Sequence, residues 1–242
     1  MGRGAGGDRT VYLDAIAEGI VVRHLETAYR SGLRFRLLSE ELGARDFGGP
    51  DLVLVDPLDG SLNAKYGVPY YAITLAVSSG DRLKDVRFAF VASLVSQEEF
   101  YATLGAGAYH DGALLEPLTT ISPNGRFGIV QIEAGNSLNA VERISPLIKN
   151  AERMRILGSA ALNLCHTATG AITVHVAPLP VRTFDLVGPL LILREAGGRA
   201  TAIDGTALDE VSSDLASHTT VLAAASSEVH ANALRLLRAA AA

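Results

Sequence analysis

The chain has 242 residues, with 21 basic and 26 acidic side chains, a net charge of -5, 48% hydrophobic residues and one cysteine. That balance excludes a disordered chain, which carries less apolar content and more charge, and a disulfide scaffold, which one thiol does not build. It also argues against a nucleic-acid binder whose affinity rests on a basic surface, and the length permits one large domain or two smaller ones. The longest stretch free of Lys, Arg, Asp and Glu, residues 156–181, is interrupted by Asn163, His166, His175, Pro178 and Pro180, so no membrane span is expected. Residues 1–10 lack the apolar run of a secretory signal, and a lone Cys165 suits a reducing cytoplasm.

In chain order, Thr10 reads as the N-cap of a helix in which Val11, Ile16, Ile20, Val21, Leu25 and Ala28 recur at near-helical spacing. Strands are expected at 35–39, 51–55, 70–77 and 86–94, the last two joined by a turn at 78–81. Residues 100–103 and 107–110 read as a pair with a turn at His110-Asp111-Gly112, and 128–133 as a further strand. The second half alternates: helix 137–151, strand 154–157, helix 159–169, strand 171–176, and helix 184–196 stopped by Gly197-Gly198. Strands at 200–203 and 219–224 and a helix capped by Ser227, running to about residue 240, complete the chain. This rhythm predicts a mixed fold, an α+β half at 1–122 and an α/β half at 123–242, with the boundary near Ser122-Pro123-Asn124-Gly125.

The strongest chemical signal is Asp56-Pro57-Leu58-Asp59-Gly60-Ser61. An apolar strand delivers Asp56, Pro57 stiffens the backbone beyond it, and a tight turn is expected to bring Asp59 to the same point. Gly60 permits close backbone approach, Ser61 opens a helix, and backbone N–H groups at such a turn favour an anion. Two carboxylates aimed at one point repel unless a cation sits between them, and hard oxygen ligands suit Mg²⁺. Three further strings carry acids: Ser39-Glu40-Glu41 after a short strand, Thr183-Phe184-Asp185-Leu186 before a helix, and Asp14 in the first helix. Singly, these read as a solvated face, an N-cap and an exposed helix face.

Together and in this order, the four strings resemble the inositol monophosphatase family, Mg²⁺-dependent, lithium-sensitive sugar phosphatases that include the fructose-1,6-bisphosphatases. Residues 63–69, 105–112 and 158–165 add to the resemblance. It implies a layered α-β-α-β-α sandwich with a shortened N-terminal helical layer, a homodimer, and two or three Mg²⁺ ions per site. Glu40, Asp56 and the Leu58 carbonyl would hold the first ion. Asp56 would bridge to a second held by Asp59 and Asp185, and Glu40 would help a loosely held third. The Ser61 hydroxyl would orient the attacking water and donate to Asp14. The N–H groups of Gly60 and Ser61 would cradle the phosphate, with Asp59, Ala160 and Asp185 beside the sugar or inositol. The implied substrate is a small phosphorylated polyol or sugar. Fructose 1,6-bisphosphate and 3′-phosphoadenosine 5′-phosphate are the alternatives, and a non-catalytic homologue that binds phosphate ligands is a rival of another class.

Departures from the family pattern carry information. Only MGRGAG precedes the Gly-Asp string, Phe184 replaces the common Trp, and Gly188-Pro189 follows Asp185, where proline is tolerated only in a first helical turn. Animal inositol-specific members carry an acid some seven positions before the last Asp, whereas residues 177–181 hold none here. Arg182 in that region reads at least as well as a surface arginine as it does as a ligand for a second phosphate, which would lean toward a bisphosphate. The dinucleotide-like Gly2-x-Gly4-x-x-Gly7 has no strand before it. Cys165 is expected as a core thiol, His175 as a satisfied structural histidine, and the last helix as docked on the body.

Overall fold

The computed structural model describes residues 12–117 and 125–241. The expected N-cap Thr10, the glycine string at 2–7 and Ser122, Pro123 and Asn124 of the expected boundary lie outside the described residues. Among the described residues, thirteen strands form two sheets. The first contains β1 (Arg36–Ser39), β2 (Gly43–Asp46), β3 (Leu52–Asp59), β4 (Ala72–Ser78), β5 (Val86–Ser93), β6 (Glu99–Thr103), β7 (Ala108–His110) and β8 (Ala113–Leu114). Its spatial order is β2-β1-β3-β4-β5-β6-β7-β8; β1 and β3 run parallel and every other pair is antiparallel. The second contains β9 (Phe127–Ile132), β10 (Ala151–Arg155), β11 (Val174–Arg182), β12 (Arg199–Thr201) and β13 (His218–Ala224), in the order β10-β9-β11-β13-β12.

Helices separate and cover the sheets in the expected α-β-α-β-α layering. They are α1 (Tyr12–Arg30), α2 (Ser61–Tyr66), α3 (Leu138–Arg143), α4 (Ser145–Lys149), α5 (Ala160–Ala168), α6 (Val187–Glu195) and α7 (Ser227–Ala241). Helix α1 packs on β3; α5 and α6 lie between the sheets; α3, α4 and α7 cover the far face of the second. The main core fills the middle layer with Leu54, Val91, Phe100, Leu162, Leu164, Leu186, Ile192 and Val221. Small residues let α6 approach: a methyl group added at Gly188 would touch Ala76 and Ala89 of the first sheet. A second core holds Phe127, Ile132, Ile144, Leu147, Val176 and Leu222, onto which α7 docks Val229, Ala233 and Leu237. A small third cluster, Phe35, Leu37, Phe47, Val53 and Val55, receives Val21 and Leu25 of α1.

Several expectations are corrected. Strands β2 and β8 were not anticipated. The expected helix at 137–151 is two short helices meeting at Ile144, because Pro146 has no N–H to continue the helical ladder through this point and sits instead in the first turn of α4, where none is needed. Residue 151 already begins β10. Strand β11 runs on through Pro178 and Pro180, which lie where its pairing with β13 shifts register between Ala177 and Val181 and where β9 no longer pairs. Ser226, not Ser227, caps α7, accepting from Val229 N–H at 3.3 Å. In α1 the apolar Ile16 and Ile20 face outward, while Asp14 and Glu18 are buried.

Cys165 is a buried free thiol whose pKa is pushed up by burial, as a core thiol requires. His175 is not the satisfied histidine expected. It stands opposite Gln131 in the β9–β11 register, and its Nδ1 and both amide atoms of Gln131 are buried without a hydrogen-bond partner among the described residues. Burial pushes the His175 pKa down to about 4. Its contribution to stability is therefore present above the ordinary histidine pKa and is lost as pH falls toward 4. His175→Gln is expected to flatten the loss of thermal stability between pH 6.5 and about 4; unfolding curves for the two proteins with equal acid slopes would contradict the assignment.

Candidate active site

The parallel pairing of β1 with β3 sets Ser39 beside Val55 and delivers Glu40 and Asp56 side by side just past the end of that pairing. The Glu40 N–H donates to the Val55 carbonyl at 3.2 Å. Residues three apart on a regular strand point to opposite faces. Strand β3 escapes this because its pairing with β4 shifts between Asp56 and Asp59. A bulge, rather than the tight turn expected, thus aims both carboxylates at one place, and Pro57 occupies a position where no ladder N–H is needed. Within the bulge, the Leu58 N–H donates to Asp56 Oδ1 at 2.9 Å. Asp59 is held by the start of α5, accepting from the Ser159 hydroxyl and from the Ala161 N–H at 3.0 Å.

Gly60 follows at φ 86°, and an added methyl would come within 3.1 Å of the Tyr70 carbonyl and 3.2 Å of the Gly158 carbonyl, so glycine is required. Helix α2 starts at Ser61, as expected. Asn63 ties α2 to both halves of the chain, its Nδ2 donating to the carbonyls of Tyr70 at 2.8 Å and Leu157 at 2.7 Å. Helix α1 contributes Asp14 and also Glu18, which accepts from the Ser39 hydroxyl. Asp185 lies in a single 3-10 turn, Phe184–Leu186, and α6 begins only at Val187. Pro189 is therefore in the first turn of α6, where its missing N–H breaks no helical bond, and Asp185 keeps its place.

A cavity of about 50 Å³ is lined by Asp14, Glu40, Glu41, Leu58, Asp59, Gly60, Ser61 and Arg182. Asp56 and Asp185 are buried against the same acids. The structure thus gathers Asp14, Glu40, Asp56, Leu58, Asp59, Gly60, Ser61, Arg182 and Asp185. Ala160 does not line the cavity but opens α5, flanked by the two residues that hold Asp59. Arg182 is no surface arginine: it is ion-paired with Glu40, and its Nη2 lies 3.2 Å from Asp185 Oδ1. A larger groove of about 250 Å³, between α6 and residues 198–209, shares no residue with this site.

Burial, and then the negative charge of its neighbours Glu40, Asp59 and Asp185, holds the Asp56 carboxyl well above the usual range. Burial raises Asp59 to about 6 against the hydrogen bonds from Ser159 and Ala161. Burial raises Asp185 to about 7 against the pull of Arg182. Asp56 Oδ2 is buried with no hydrogen-bond partner among the described residues. An all-oxygen donor set of this kind fits a hard divalent cation. Among the described residues, however, no group of three or more His, Cys, Asp or Glu side chains stands as a finished metal cage.

Several contributors escaped the sequence reading. Ser159 and Ala161 orient Asp59; the Ser-initiated helix was legible, but Ser159 both caps α5 by accepting from Leu162 N–H at 3.3 Å and donates to Asp59. Glu41 lines the cavity beside Glu40. Glu133, just past β9, accepts from Asn163 Nδ2 at 3.4 Å and is raised to about 7 by burial and by Asp59. No local pattern announced it.

The profile of the inositol monophosphatase family matches residues 5–242. The chain is 30% identical over 241 residues to a fructose-1,6-bisphosphatase/inositol-1-monophosphatase of Archaeoglobus fulgidus, covering 98% of this chain and 87% of that protein. It is 32% identical over 203 residues to a protein of the same name from Thermococcus kodakarensis, covering 83% and 72%. A solved inositol monophosphatase-fructose 1,6 bisphosphatase superposes with a TM-score of 0.82 at 26% identity, covering 98% of this chain and 88% of that one.

Protons and a divalent cation compete for carboxylates whose pKa values are raised to about 6 and about 7. Saturating Mg²⁺ is therefore expected to raise the melting temperature more at pH 8 than at pH 5.5. An equal or larger rise at pH 5.5 would contradict binding at these groups.

Proposed function

We propose, from the premise that this chain belongs to the inositol monophosphatase family, that it hydrolyses small phosphorylated polyols or sugars, of the inositol 1-phosphate kind, with metal-activated water. Glu40, Asp56, Asp59, Asp185 and the Leu58 carbonyl would hold two or three Mg²⁺ ions. When bound, these neutralise the phosphate, lower the pKa of a bound water and stabilise the leaving alkoxide. The chain's own groups do the positioning. Backbone N–H groups of Gly60 and Ser61 receive the phosphate, the left-handed Gly60 letting it approach the backbone. The Ser61 hydroxyl orients the attacking water and passes its hydrogen bond to Asp14, which lines the same cavity. Ala160, Asp59 and Asp185 face the alcohol portion. In this reading the half at 1–122 carries most metal ligands, and the half at 123–242 brings Asp185 and substrate contacts.

One observation carries the reading: the buried Asp56 Oδ2, without a hydrogen-bond partner among the described residues and ringed by Glu40, Asp59 and Asp185. A bisphosphate such as fructose 1,6-bisphosphate is the second reading. It is favoured by the absence of an acid at 177–181 and by Arg182 on the cavity wall, and both relatives described above carry both activities in their names. We assign the protein to the cytoplasm, in keeping with its single buried thiol and with the absence, among the described residues, of a helix long and apolar enough to cross a membrane. A homodimer accords with the exposed Leu62, Tyr66, Val68, Met154 and Ile156, near the contact of Asn63 with Leu157.

The test is phosphate release, with and without Mg²⁺, from inositol 1-phosphate, fructose 1,6-bisphosphate and 3′-phosphoadenosine 5′-phosphate. Asp56→Asn removes the charge of a carboxylate that would hold the ions and is expected to lower kcat by at least about a thousandfold. Near-normal turnover of that variant at saturating Mg²⁺ would sink the mechanism.

A further inference from the structure

We propose that Arg182 is a built-in counter-cation that competes with divalent metal for Glu40 and Asp185, so that metal occupies those carboxylates only when the guanidinium leaves them. The inference rests on the metal-phosphatase reading above and deepens it.

Arg182 ends β11, and its side chain is 21% exposed while those of Glu40 and Asp185 are 12% and 14% exposed. The guanidinium is ion-paired with Glu40, and it reaches Asp185 with Nη2 at 3.2 Å from Oδ1 and Nε at 3.4 Å from Oδ2. Among the described residues, Arg182 is the one cationic side chain on the cavity wall. Glu40 and Asp185 fall to different ions in the ligand set implied by the family, so a single guanidinium touches a ligand of each.

A guanidinium presents five N–H donors in a rigid planar fork and stays charged at every accessible pH. It therefore yields by moving rather than by losing a proton. A divalent ion on the same oxygens repels it, so the two do not share the carboxylates. Oxygens that a metal would take are already engaged: Glu40 is ion-paired with Arg182, and Asp185 Oδ2 accepts from its Nε. The backbone at Val181 and Arg182 stays anchored by pairing to Thr219 and His218 of β13, which confines the movement to the side chain.

The test reads metal binding rather than turnover. Mn²⁺ is titrated into the metal-free wild type, Arg182→Gln and Arg182→Lys, and free Mn²⁺ is followed by electron paramagnetic resonance. Arg182→Gln is expected to bind Mn²⁺ at least about tenfold more tightly than wild type. Its metal-free melting temperature should be lower, with the gap closing when Mn²⁺ saturates. Unchanged or weaker Mn²⁺ affinity in that variant overturns the proposal. Should Arg182→Gln fail to fold without metal, Arg182→Lys decides. It keeps the charge but does not span both carboxylates, so several-fold tighter binding supports the proposal, and equal or weaker binding overturns it. If wild type and both variants bind no Mn²⁺, the metal-phosphatase reading falls and this proposal with it; a wild type that binds, with no gain in either variant, overturns only the proposal.

Discussion

Four carboxylates, Glu40, Asp56, Asp59 and Asp185, are pressed into one nearly dry corner of the molecule, and their mutual repulsion is the constraint that the surrounding structure answers to. In a partly buried setting each close pair of like charges costs about a few kcal/mol, a sizeable share of the stability of a domain. The chain meets this in three ways. Asp59 is solvated by the Ser159 hydroxyl and the Ala161 N–H of α5. Glu40 and Asp185 lean on Arg182. Asp56 has Leu58 N–H on one oxygen and no hydrogen-bond partner among the described residues on the other, and the proposed ions would complete its shell.

The architecture is organised to bring those groups together from far apart in sequence. The parallel β1–β3 pair sets Glu40 beside Asp56. The bulge in β3 turns Asp59 toward the same point. The middle helical layer then closes the corner from the second half of the chain, α5 through Ser159 and the turn before α6 through Asp185. Because α5 and α6 belong to the main core, with Leu162, Leu164 and Ile192 buried among residues of both sheets, the site is fixed by packing rather than by a flexible loop.

Much of this was legible. The Asp56–Ser61 string stood out by its local pattern, whereas the glutamates after a short strand and the acid before a glycine-terminated helix read singly as a solvated face and an N-cap, and joined it only through the family resemblance. The elements built on clear periodicity, such as β4, β5 and α5, also lie within a residue or two of where they were expected. What was not legible depends on partners distant in sequence. Asp-Pro-Leu-Asp reads as a turn, and only pairing with β4 makes it a bulged strand. Helix α1 turns Asp14 and Glu18 inward and leaves Ile16 and Ile20 exposed, the reverse of an ordinary amphipathic helix, because the site and not the core claims that face. Strand β11 passes through two prolines because its irregular end pairs on one side only. Arg182 looked like a surface residue or a phosphate ligand, and only the fold reveals the carboxylates it meets.

The central claim is that the acidic corner is a cation site organised on Asp56. The most direct measurement is anomalous diffraction from crystals of the full chain grown with Mn²⁺. The account predicts Mn²⁺ peaks bonded to the Asp56 carboxylate, with Asp59, Asp185 and the Leu58 carbonyl completing their shells. Strong Mn²⁺ peaks elsewhere and none at Asp56 would contradict it.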